Sequence, residues 1–557
     1  MKGCKAFADA MKSFGVTHVF YLEAIIRYGM RECNKMGIKT ICAHTENAAA
    51  YMAEGYSRSA KRPGVCMAQS IGSYNLSGGV HEAWLACSPV VAITGKKDPM
   101  HQYRGSYQEA DHRNLYESIT KFNGEIADSK QFNQVMNSCF RAASTGKPRP
   151  AHIDVLDNTG SIFEHSEVDD NCVFETVYGQ VPAYRPIADQ ASIDRAVALI
   201  EAAQRPVLVA GRGVVISEAK DELVALARKN DIPVVITPDG KTTIDEDDEL
   251  FVGVVGDYGD ICANKVVMNA DLVIYVGSQA NDQATIEWTV PPIDTQIVQL
   301  DIDPEELGKN YPKTAGIFAD AKIGLQQLID AIGEKKRGEW RAQVDELVAI
   351  TRAKKQELAN TKWETIHAAA LCREVSKALP DDAILVADTG YSAIWSATMI
   401  PMKKSQSYYR AAGNLGYAFP ASIGVKCGAP DRPVVCFCGD GSFYYHMNEM
   451  ETAARHGINT VTVLNNNYRY GQCVPVEMEI FPNEPAKALE KCCFKNDVNF
   501  TVIAEQYGLY TERVTKEEDI VPAIQRALAA GKPALVEVIT DPESHPLPAL
   551  ETIKREA

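Results

Sequence analysis

The feature that most constrains the fold of this chain is a repeated alternation of short apolar segments with alanine-rich segments of helical spacing. Segments such as residues 206–211 (PVLVAG) and 271–277 (DLVIYVG) are apolar at nearly every position. Strands that are apolar on both faces are typical of a parallel sheet covered by helices on both sides. Because the alternation occurs in each third of the chain, the sequence predicts an α/β protein with three doubly wound parallel-sheet domains. The predicted strands are 63–69, 89–95, 148–155, 206–211, 232–237, 272–277, 295–302, 382–390, 432–441, 459–467 and 532–540.

Polar stretches between the thirds mark the domain boundaries. Residues 157–189 are rich in Asp and Glu and predict a linker, and residues 335–364 form a charged stretch that favours a helix. A chain of 557 residues has room for three or four domains of about 150 residues each. We therefore predict domains over residues 1–165, 190–335 and 365–557.

The composition excludes several classes of protein. Lys and Arg number 57 against 73 Asp and Glu, for a net charge of −16, which argues against a nucleic-acid protein because phosphate neutralisation needs clustered basic residues. No run of about 18 apolar residues predicts a membrane span, and the first residues lack the pattern of a secretory signal. The 15 cysteines show no zinc-ligand spacing, so we predict reduced thiols and a cytoplasmic location.

The strongest chemical signal lies in the last third of the chain. A predicted strand runs into residues 439–442 (GDGS), and the next apolar strand ends in residues 465–467 (NNN), which places Asn466 twenty-six residues after Asp440. Ligands of doubly wound sheets bind beyond the carboxyl ends of the strands, where both clusters lie. Glycines and a following helix suit a phosphate, and the oxygens of Asp440 and Asn466 suit Mg²⁺ shared with a diphosphate. Either cluster alone is also explained as a plain turn or loop.

Together, the two clusters resemble the diphosphate-binding motif of thiamine diphosphate (ThDP) enzymes, in which GDG is followed by NN at a similar spacing. The resemblance implies that Asp440, Asn466 and the backbone carbonyl of Tyr468 bind Mg²⁺. It further implies that the diphosphate contacts Gly439, Gly441 and Ser442.

The family also requires a glutamate that hydrogen-bonds the pyrimidine N1′ of the cofactor. Residues 43–50 (AHTENAAA) place Glu46 at the start of an alanine-rich helix after a strand. A glutamate in a first helical turn is also explained by the helix dipole alone. The residues that follow Glu46 match the family's helix after this glutamate, so the resemblance implies that Glu46 is the catalytic acid–base group. Gln108 lies where related enzymes carry a glutamine near the glutamate.

A third motif covers residues 390–424, which contain GYSAIW and GNLGYAFPASIG. It resembles the stretch in which a bulky apolar residue holds ThDP in a bent conformation. The resemblance implies that Leu415 is this residue, that the Gly413 carbonyl accepts from the 4′-amino group, and that Tyr391 and Ser392 lie near the diphosphate. Plain core packing is the alternative for Leu415.

The resemblance spans nearly the whole chain and is to the acetolactate synthase branch of ThDP enzymes. It implies a homodimer or homotetramer in which the cofactor lies between the first domain of one subunit and the third domain of another, so that Glu46 and Asp440 meet across a subunit interface. The implied activity is a carboligase or decarboxylase acting on a 2-oxo acid. A catalytically inactive homologue would have lost Glu46 or the Asp440–Asn466 pair, and both are present.

Substrate alternatives stay open because the chain departs from acetolactate synthases. Residues 21–24 (YLEA) stand where those enzymes carry Pro-Gly-Gly, and the segment after Asn466 also differs. A cyclic 1,2-diketone hydrolase, a 2-hydroxyacyl-CoA lyase and an oxalyl-CoA decarboxylase are the alternatives. Four further residues are candidate acid–base groups, each with a structural role as the alternative: His18, His44, His81 and Tyr74.

The middle third carries a weaker signal for a nucleotide. Residues 211–213 (GRG) follow a predicted strand but lack the third glycine of a dinucleotide fingerprint, which argues against an NAD dehydrogenase. Segments 253–259, 277–285 and 299–304 resemble the FAD-contacting segments of acetolactate synthases, with Gln279 or Gln283 where an arginine is usual. FAD, ADP or an empty domain all remain open, and a flavin oxidoreductase would use this domain for electron transfer.

Overall fold

The structure is a computed structural model that describes residues 1–495 and 497–549. It contains three sheets of six strands each, and every strand pair is parallel. Helices cover both faces of each sheet. The predicted fold class is confirmed.

The first sheet has the strand order β2-β1-β3-β4-β6-β5. Its strands are β1 His18–Tyr21, β2 Lys39–Cys42, β3 Gly64–Ala68, β4 Val90–Lys96, β5 Asn123–Ile126 and β6 Ala151–Leu156. The helices around it are α1 Gly3–Ser13, α2 Arg27–Lys35, α3 Glu46–Ala60, α4 Gly72–Leu85, α5 Arg113–Glu117, α6 Phe132–Ser144 and α7 Ser161–His165.

The central sheet has the order β12-β11-β10-β7-β8-β9. Its strands are β7 Pro206–Ala210, β8 Val234–Ile236, β9 Phe251–Val254, β10 Leu272–Val276, β11 Gln296–Asp301 and β12 Thr314–Phe318. Its helices are α8 Gln190–Ala202, α9 Arg212–Ile216, α10 Lys220–Asn230, α11 Ile261–Asn269, α12 Asp282–Thr285 and α13 Ala321–Ala331, and α14 Gly338–Asn360 leads to the last domain.

The last sheet has the order β14-β13-β15-β16-β18-β17. Its strands are β13 Ile384–Ala387, β14 Ser407–Arg410, β15 Val434–Gly439, β16 Val461–Asn466, β17 Tyr510–Val514 and β18 Ala534–Ile539. Its helices are α15 Ala368–Ala378, α16 Tyr391–Met399, α17 Ala418–Gly428, α18 Asp440–His446, α19 Glu449–His456, α20 Val474–Ile480, α21 Pro485–Cys492, α22 Phe500–Gln506 and α23 Ile520–Ala529.

The first and last domains share one apolar core, because α3 packs directly on α17. The contact is close enough to require glycine: a Cβ on Gly424 would lie 1.8 Å from the Met52 carbonyl oxygen, and one on Gly55 would lie 2.2 Å from the Ala421 carbonyl oxygen. The two domains are therefore held together through the backbone surfaces of two helices.

None of the helices within the described part of the chain is both long and apolar enough to cross a membrane.

Candidate active site

The carboxyl ends of β15 and β16 bring Asp440 and Asn466 to one edge of the last sheet. Gly439 and Asn465 are paired across the two strands, so the residues that follow them are neighbours. Asp440 is 2% exposed, and its Oδ1 accepts a hydrogen bond from the Gly441 N–H at 2.8 Å. Burial raises the pKa of Asp440 to about 7, although backbone N–H groups, including that of Gly441, act in the opposite direction.

The second carboxylate oxygen of Asp440 is the chemically informative atom. Oδ2 is buried and has no hydrogen-bond partner among the described residues. A buried carboxylate oxygen without a partner is costly unless a cation or a donor lies beside it. This orphaned oxygen therefore fits a metal ligand.

Asn466 is fully buried, and its amide is held in one orientation. Its Nδ2 donates to Glu537 Oε1 at 2.7 Å, and its Oδ1 accepts from the Tyr468 N–H at 3.1 Å. Tyr468 has a φ of 56°, a left-handed conformation that turns the chain at the end of the strand. The Tyr468 carbonyl accepts from the Phe494 N–H at 2.7 Å, which uses one of its two lone pairs.

The residues predicted to contact the diphosphate lie together beside this edge. The Ser442 hydroxyl donates to the Gly439 carbonyl at 2.9 Å, and a Cβ on Gly439 would lie 3.4 Å from Ser392 Oγ. Tyr391 is the first residue of α16, and its hydroxyl is 3.2 Å from His545 Nδ1. The residues that the motif assigns to the diphosphate are therefore neighbours in the structure.

Packing at this edge restricts the side chain at position 441. A Cβ at this position would lie 2.5 Å from the Tyr470 ring. The residue after Asp440 therefore has to be glycine in this backbone arrangement.

Glu46 lies at the start of α3, at the carboxyl edge of the first sheet. Its side chain is 8% exposed, and Oε2 accepts from Asn75 Nδ2 at 3.1 Å. A Cβ on Gly72 would lie 2.5 Å from Oε1, so the glycine that begins α4 leaves space for this carboxylate. The Gln108 carbonyl accepts from the Ser70 hydroxyl at 2.6 Å, which brings the Gln108 segment to the same end of α4.

Gly413 and Leu415 lie in the loop between β14 and α17, at the opposite end of α4. Gly413 is exposed and Leu415 is half-buried, and within the described residues Leu415 belongs to no buried core cluster. The loop is held by the buried carboxylate of Glu82, which accepts the N–H groups of Gly413 at 3.2 Å and Asn414 at 2.9 Å.

Two acids that hold this loop carry no motif in the sequence. Burial raises the pKa of Glu82 to about 7 and that of Asp388 to about 6. Asp388 accepts from the N–H groups of Gly416 at 3.1 Å and Ala418 at 2.8 Å. Sequence reasoning missed both acids.

Within one chain, Glu46 and the Gly413 loop contact different residues of α4. Glu46 contacts Asn75, whereas the loop contacts Gly78 and Glu82. These loop contacts lie three and seven residues from Asn75, which corresponds to about 5 and 10 Å along the helix axis. Within the described residues no hydrogen bond links Glu46 to Asp440.

The candidate acid–base histidines lie in different places. The backbone N–H of His44 donates to Glu449 at 2.9 Å, and its Nε2 is 2.7 Å from Glu451, so it ties the first domain to α19. His18 lies at the amino end of β1, where burial lowers its pKa to about 4. His81 is exposed on α4. The Tyr74 hydroxyl donates to the Asp111 carbonyl at 3.1 Å.

The central domain has a pocket where its strand order reverses, between β7 and β10. Its floor needs glycine, since a Cβ on Gly211 would lie 2.3 Å from the Gly277 carbonyl oxygen. Asp301 lies at the end of β11, and burial raises its pKa to about 6. Gln279 donates to Cys87 Sγ at 3.0 Å. Such a position in a doubly wound sheet is where nucleotides bind.

Comparison with known families gives three matches along the chain. A family model described as "Thiamine pyrophosphate enzyme, N-terminal TPP binding domain" matches residues 1–115. The corresponding central-domain model matches residues 193–328, and the C-terminal TPP binding domain model matches residues 388–538. Thiamine pyrophosphate and thiamine diphosphate are the same cofactor.

Comparison with individual proteins gives relatives along nearly the whole chain. A probable acetolactate synthase large subunit of Methanocaldococcus jannaschii is 28% identical, covering 97% of this chain and 92% of that protein. The acetolactate synthase large subunit of Corynebacterium glutamicum is 29% identical, with 98% and 88% covered. The acetolactate synthase isozyme 1 large subunit of Escherichia coli is 30% identical, with 92% and 88% covered. The chain therefore belongs to the thiamine pyrophosphate enzymes, in the acetolactate synthase-like family, and is a ThDP-dependent enzyme.

Proposed function

We propose that this enzyme binds ThDP with Mg²⁺ and makes or breaks a carbon–carbon bond next to a carbonyl, as an acetolactate synthase-like carboligase or decarboxylase acting on a 2-oxo acid. The observation that carries the proposal is the buried, unpartnered Oδ2 of Asp440 at the edge where Asn466 also ends its strand. The names of the acetolactate synthase relatives support the substrate class.

The proposed metal ligands are Asp440, Asn466 and the carbonyl of Tyr468. All three offer oxygen, which Mg²⁺ prefers over nitrogen or sulfur. The diphosphate would lie along the glycine-rich edge, against Gly439, Gly441, Ser442, Tyr391 and Ser392.

The bound cofactor supplies a thiazolium that stabilises negative charge on the former carbonyl carbon of the substrate. Glu46 would exchange a proton with the pyrimidine N1′, and the Gly413 carbonyl would accept a hydrogen bond from the 4′-amino group. Because Asn75 donates to Oε2 of Glu46, Oε1 would serve N1′. Leu415 would pack against the rings of the cofactor, and Gln108 would lie on the substrate side of Glu46.

We propose that a second copy of the chain completes the site, in a homodimer or homotetramer. Within the described residues no hydrogen bond links Glu46 to Asp440 or to Gly413, which supports a site shared between two chains. Glu46 of one subunit would then face Asp440 and Gly413 of another.

The function is tested by Glu46→Gln. We expect the variant to bind ThDP and lose nearly all turnover of 2-oxo acids, because Gln cannot exchange the proton at N1′. Glu117→Gln changes an exposed glutamate of α5 in the same domain and should leave turnover unchanged. Undiminished turnover in Glu46→Gln, or no binding of ThDP to the wild-type protein with Mg²⁺ in calorimetry, would refute the proposal.

The shared site is tested by mixing Glu46→Gln with Asp440→Ala subunits. In a mixed dimer one site carries both changes and the other carries neither, so random mixing should restore about a quarter of wild-type activity. If each site lies within one chain, no mixture of the two variants gains activity.

The loop of residues 21–24 favours a second candidate, the ring-opening hydrolysis of a cyclic 1,2-diketone or carbon–carbon bond cleavage in a 2-hydroxyacyl-CoA or oxalyl-CoA. Ala24 has a φ of 81°, a conformation usual for glycine, and Glu23 pairs with Arg27 at 2.5 Å. The loop thus adds charged side chains at the carboxyl edge of the first sheet. Turnover of cyclic diketones, or of 2-hydroxyacyl-CoA or oxalyl-CoA, without turnover of 2-oxo acids would establish this alternative.

We also propose that the pocket between β7 and β10 holds an adenine nucleotide, with FAD as the candidate and ADP as the alternative. Asp301 at the end of β11 is placed to accept ribose hydroxyl groups. Denaturing the purified protein and identifying the released chromophore or nucleotide by absorbance and mass spectrometry tests this.

A further inference from the structure

The three domains meet around a cavity that adjoins the central-domain pocket and shares Arg212 and Asp239 with it. This junction crevice has a volume of about 460 Å³ and is lined by the end of α3, the start of α10 and the segment around β14. Its basic residues are Arg58, Lys61, Arg212, Lys220, Lys404 and Arg432. In a chain with a net charge of −16, this concentration of positive charge is unusual.

The acids that line the junction crevice are already paired. Glu218 pairs with Lys61, and Asp221 pairs with Lys404 at 2.7 Å. Asp239 pairs at 3.1 Å with an arginine outside the crevice, Arg410. Arg58 pairs with the buried Glu54, just outside the crevice. Within the described residues, the crevice cations without an ion pair are therefore Arg212, Lys220 and Arg432.

Lys220 and Arg432 are bound only to neutral acceptors. Lys220 Nζ donates to Thr242 Oγ1 at 3.2 Å and to the Lys404 carbonyl at 2.9 Å. Arg432 donates to backbone carbonyls and to Ser407 Oγ at 3.1 Å. Within the described part of the chain neither forms an ion pair with a carboxylate.

Two guanidinium groups present unused donors. Nη2 of Arg58 and Nη1 of Arg212 are buried without an acceptor among residues 1–495 and 497–549. The other Nη of Arg212 donates to Ser88 Oγ at 2.8 Å. Buried cationic groups are costly, and an anion in the adjoining crevice would lower this electrostatic cost.

Burial and the positive charge of the crevice lower the pKa of Lys220. Burial lowers its pKa to about 8, and the positive charges of Arg432, Lys404 and Lys61 lower it further. Burial and Arg432 also lower the pKa of Lys61. The cations that line this cavity repel one another, and a bound anion would relieve this repulsion.

We propose that the junction crevice binds an anion with two or more phosphoryl groups, and that this ligand bridges the three domains. Arginine forks match phosphate oxygens in pairs, and lysines add point charges. Arg212, Lys220 and Arg432 carry three positive charges without an ion pair among the described residues, more than one phosphate neutralises, which favours a di- or triphosphate. Lys220 and Lys404 lie in this cavity and not in the central-domain pocket, so the two sites are distinguishable.

The test is calorimetric titration of inorganic pyrophosphate into protein already saturated with ThDP and Mg²⁺. We expect one binding event that weakens at least tenfold in Lys220→Gln and in Lys404→Gln. The matched control is Lys403→Gln, which removes a neighbouring exposed charge paired with Asp381 and should bind as the wild type does.

A titration with ADP distinguishes a nucleotide from inorganic pyrophosphate as the ligand. Binding of ADP that Lys220→Gln also weakens would identify the ligand as a nucleotide in this crevice. The proposal is overturned if pyrophosphate gives no binding, if ADP alone binds without an effect of Lys220→Gln, or if Lys403→Gln weakens binding as much as Lys220→Gln. None of these outcomes depends on turnover, so the proposed function stands or falls separately.

Discussion

The buried carboxylate of Glu82 should make the Gly413 loop less stable as the pH rises. Glu82 is fully buried, and it accepts the N–H groups of Ala412, Gly413 and Asn414 from the last domain. Burial raises its pKa from 4.5 to about 7. This shift corresponds to about 3 kcal/mol of differential interaction between the two protonation states.

The sign of the effect follows from proton linkage. Between pH 4.5 and 7, Glu82 is protonated when the loop is closed. When the loop opens, the carboxyl group is solvated and releases this proton. Stability of the closed loop is therefore complete below pH 4.5 and is lost as the pH rises to about 7. Two charged groups face Glu82: Glu54 raises its pKa further, and Arg58 lowers it.

The perturbation is Glu82→Gln, and the assay is hydrogen–deuterium exchange in peptides that cover residues 411–416. After correction for intrinsic exchange, the wild-type loop should lose about 100-fold protection between pH 4.5 and 8, whereas Glu82→Gln should show a flat profile. Glu117→Gln, at an exposed glutamate, should follow the wild type. Parallel profiles for the wild type and Glu82→Gln would refute the reasoning.

Two substitutions test the junction of α3 and α17. Gly424→Ala places a Cβ 1.8 Å from the Met52 carbonyl oxygen, so we expect a lower thermal midpoint of unfolding. The control, Gly78→Ala, meets nothing within 4 Å and should raise or preserve the midpoint. An unchanged midpoint in Gly424→Ala would contradict the close packing. Arg58→Met leaves the buried Glu54 without its ion-pair partner. It should lower the free energy of unfolding, measured by chemical denaturation, by about 3–5 kcal/mol. A decrease below about 1 kcal/mol would show that Arg58 does not neutralise Glu54.

Most interior strands were predictable from sequence, but the interior strand β1 was not, nor were most of the edge strands. Residues 206–211 and 272–277 were predicted because β7 and β10 are buried on both faces and therefore apolar throughout. The edge strands β5 (NGEI), β12 (TAGIF) and β17 (YTERV) have one neighbour and partly exposed side chains, so no continuous apolar run marks them.

The candidate site divides in the same way. Asp440 and Asn466 follow buried strands at a characteristic separation, so the local sequence carries the prediction. Glu82 is a single acid in an apolar helix, and its partners are backbone N–H groups about 330 residues away, which no local pattern encodes. Asp388 is likewise recognised only from the loop that it holds.

The three buried acids of the site differ in one respect that bears on ligand binding. Glu82 and Asp388 have both oxygens occupied by backbone N–H groups of the loop before α17. Asp440 keeps its buried Oδ2 without a hydrogen-bond partner within the described residues, and so does Glu537, which holds Asn466, at Oε2. The protein thus satisfies the acids that shape the loop and leaves unsatisfied the acid at the proposed metal site. A ligand that supplies the missing partner binds the folded chain only, and its binding free energy adds to the stability of the fold.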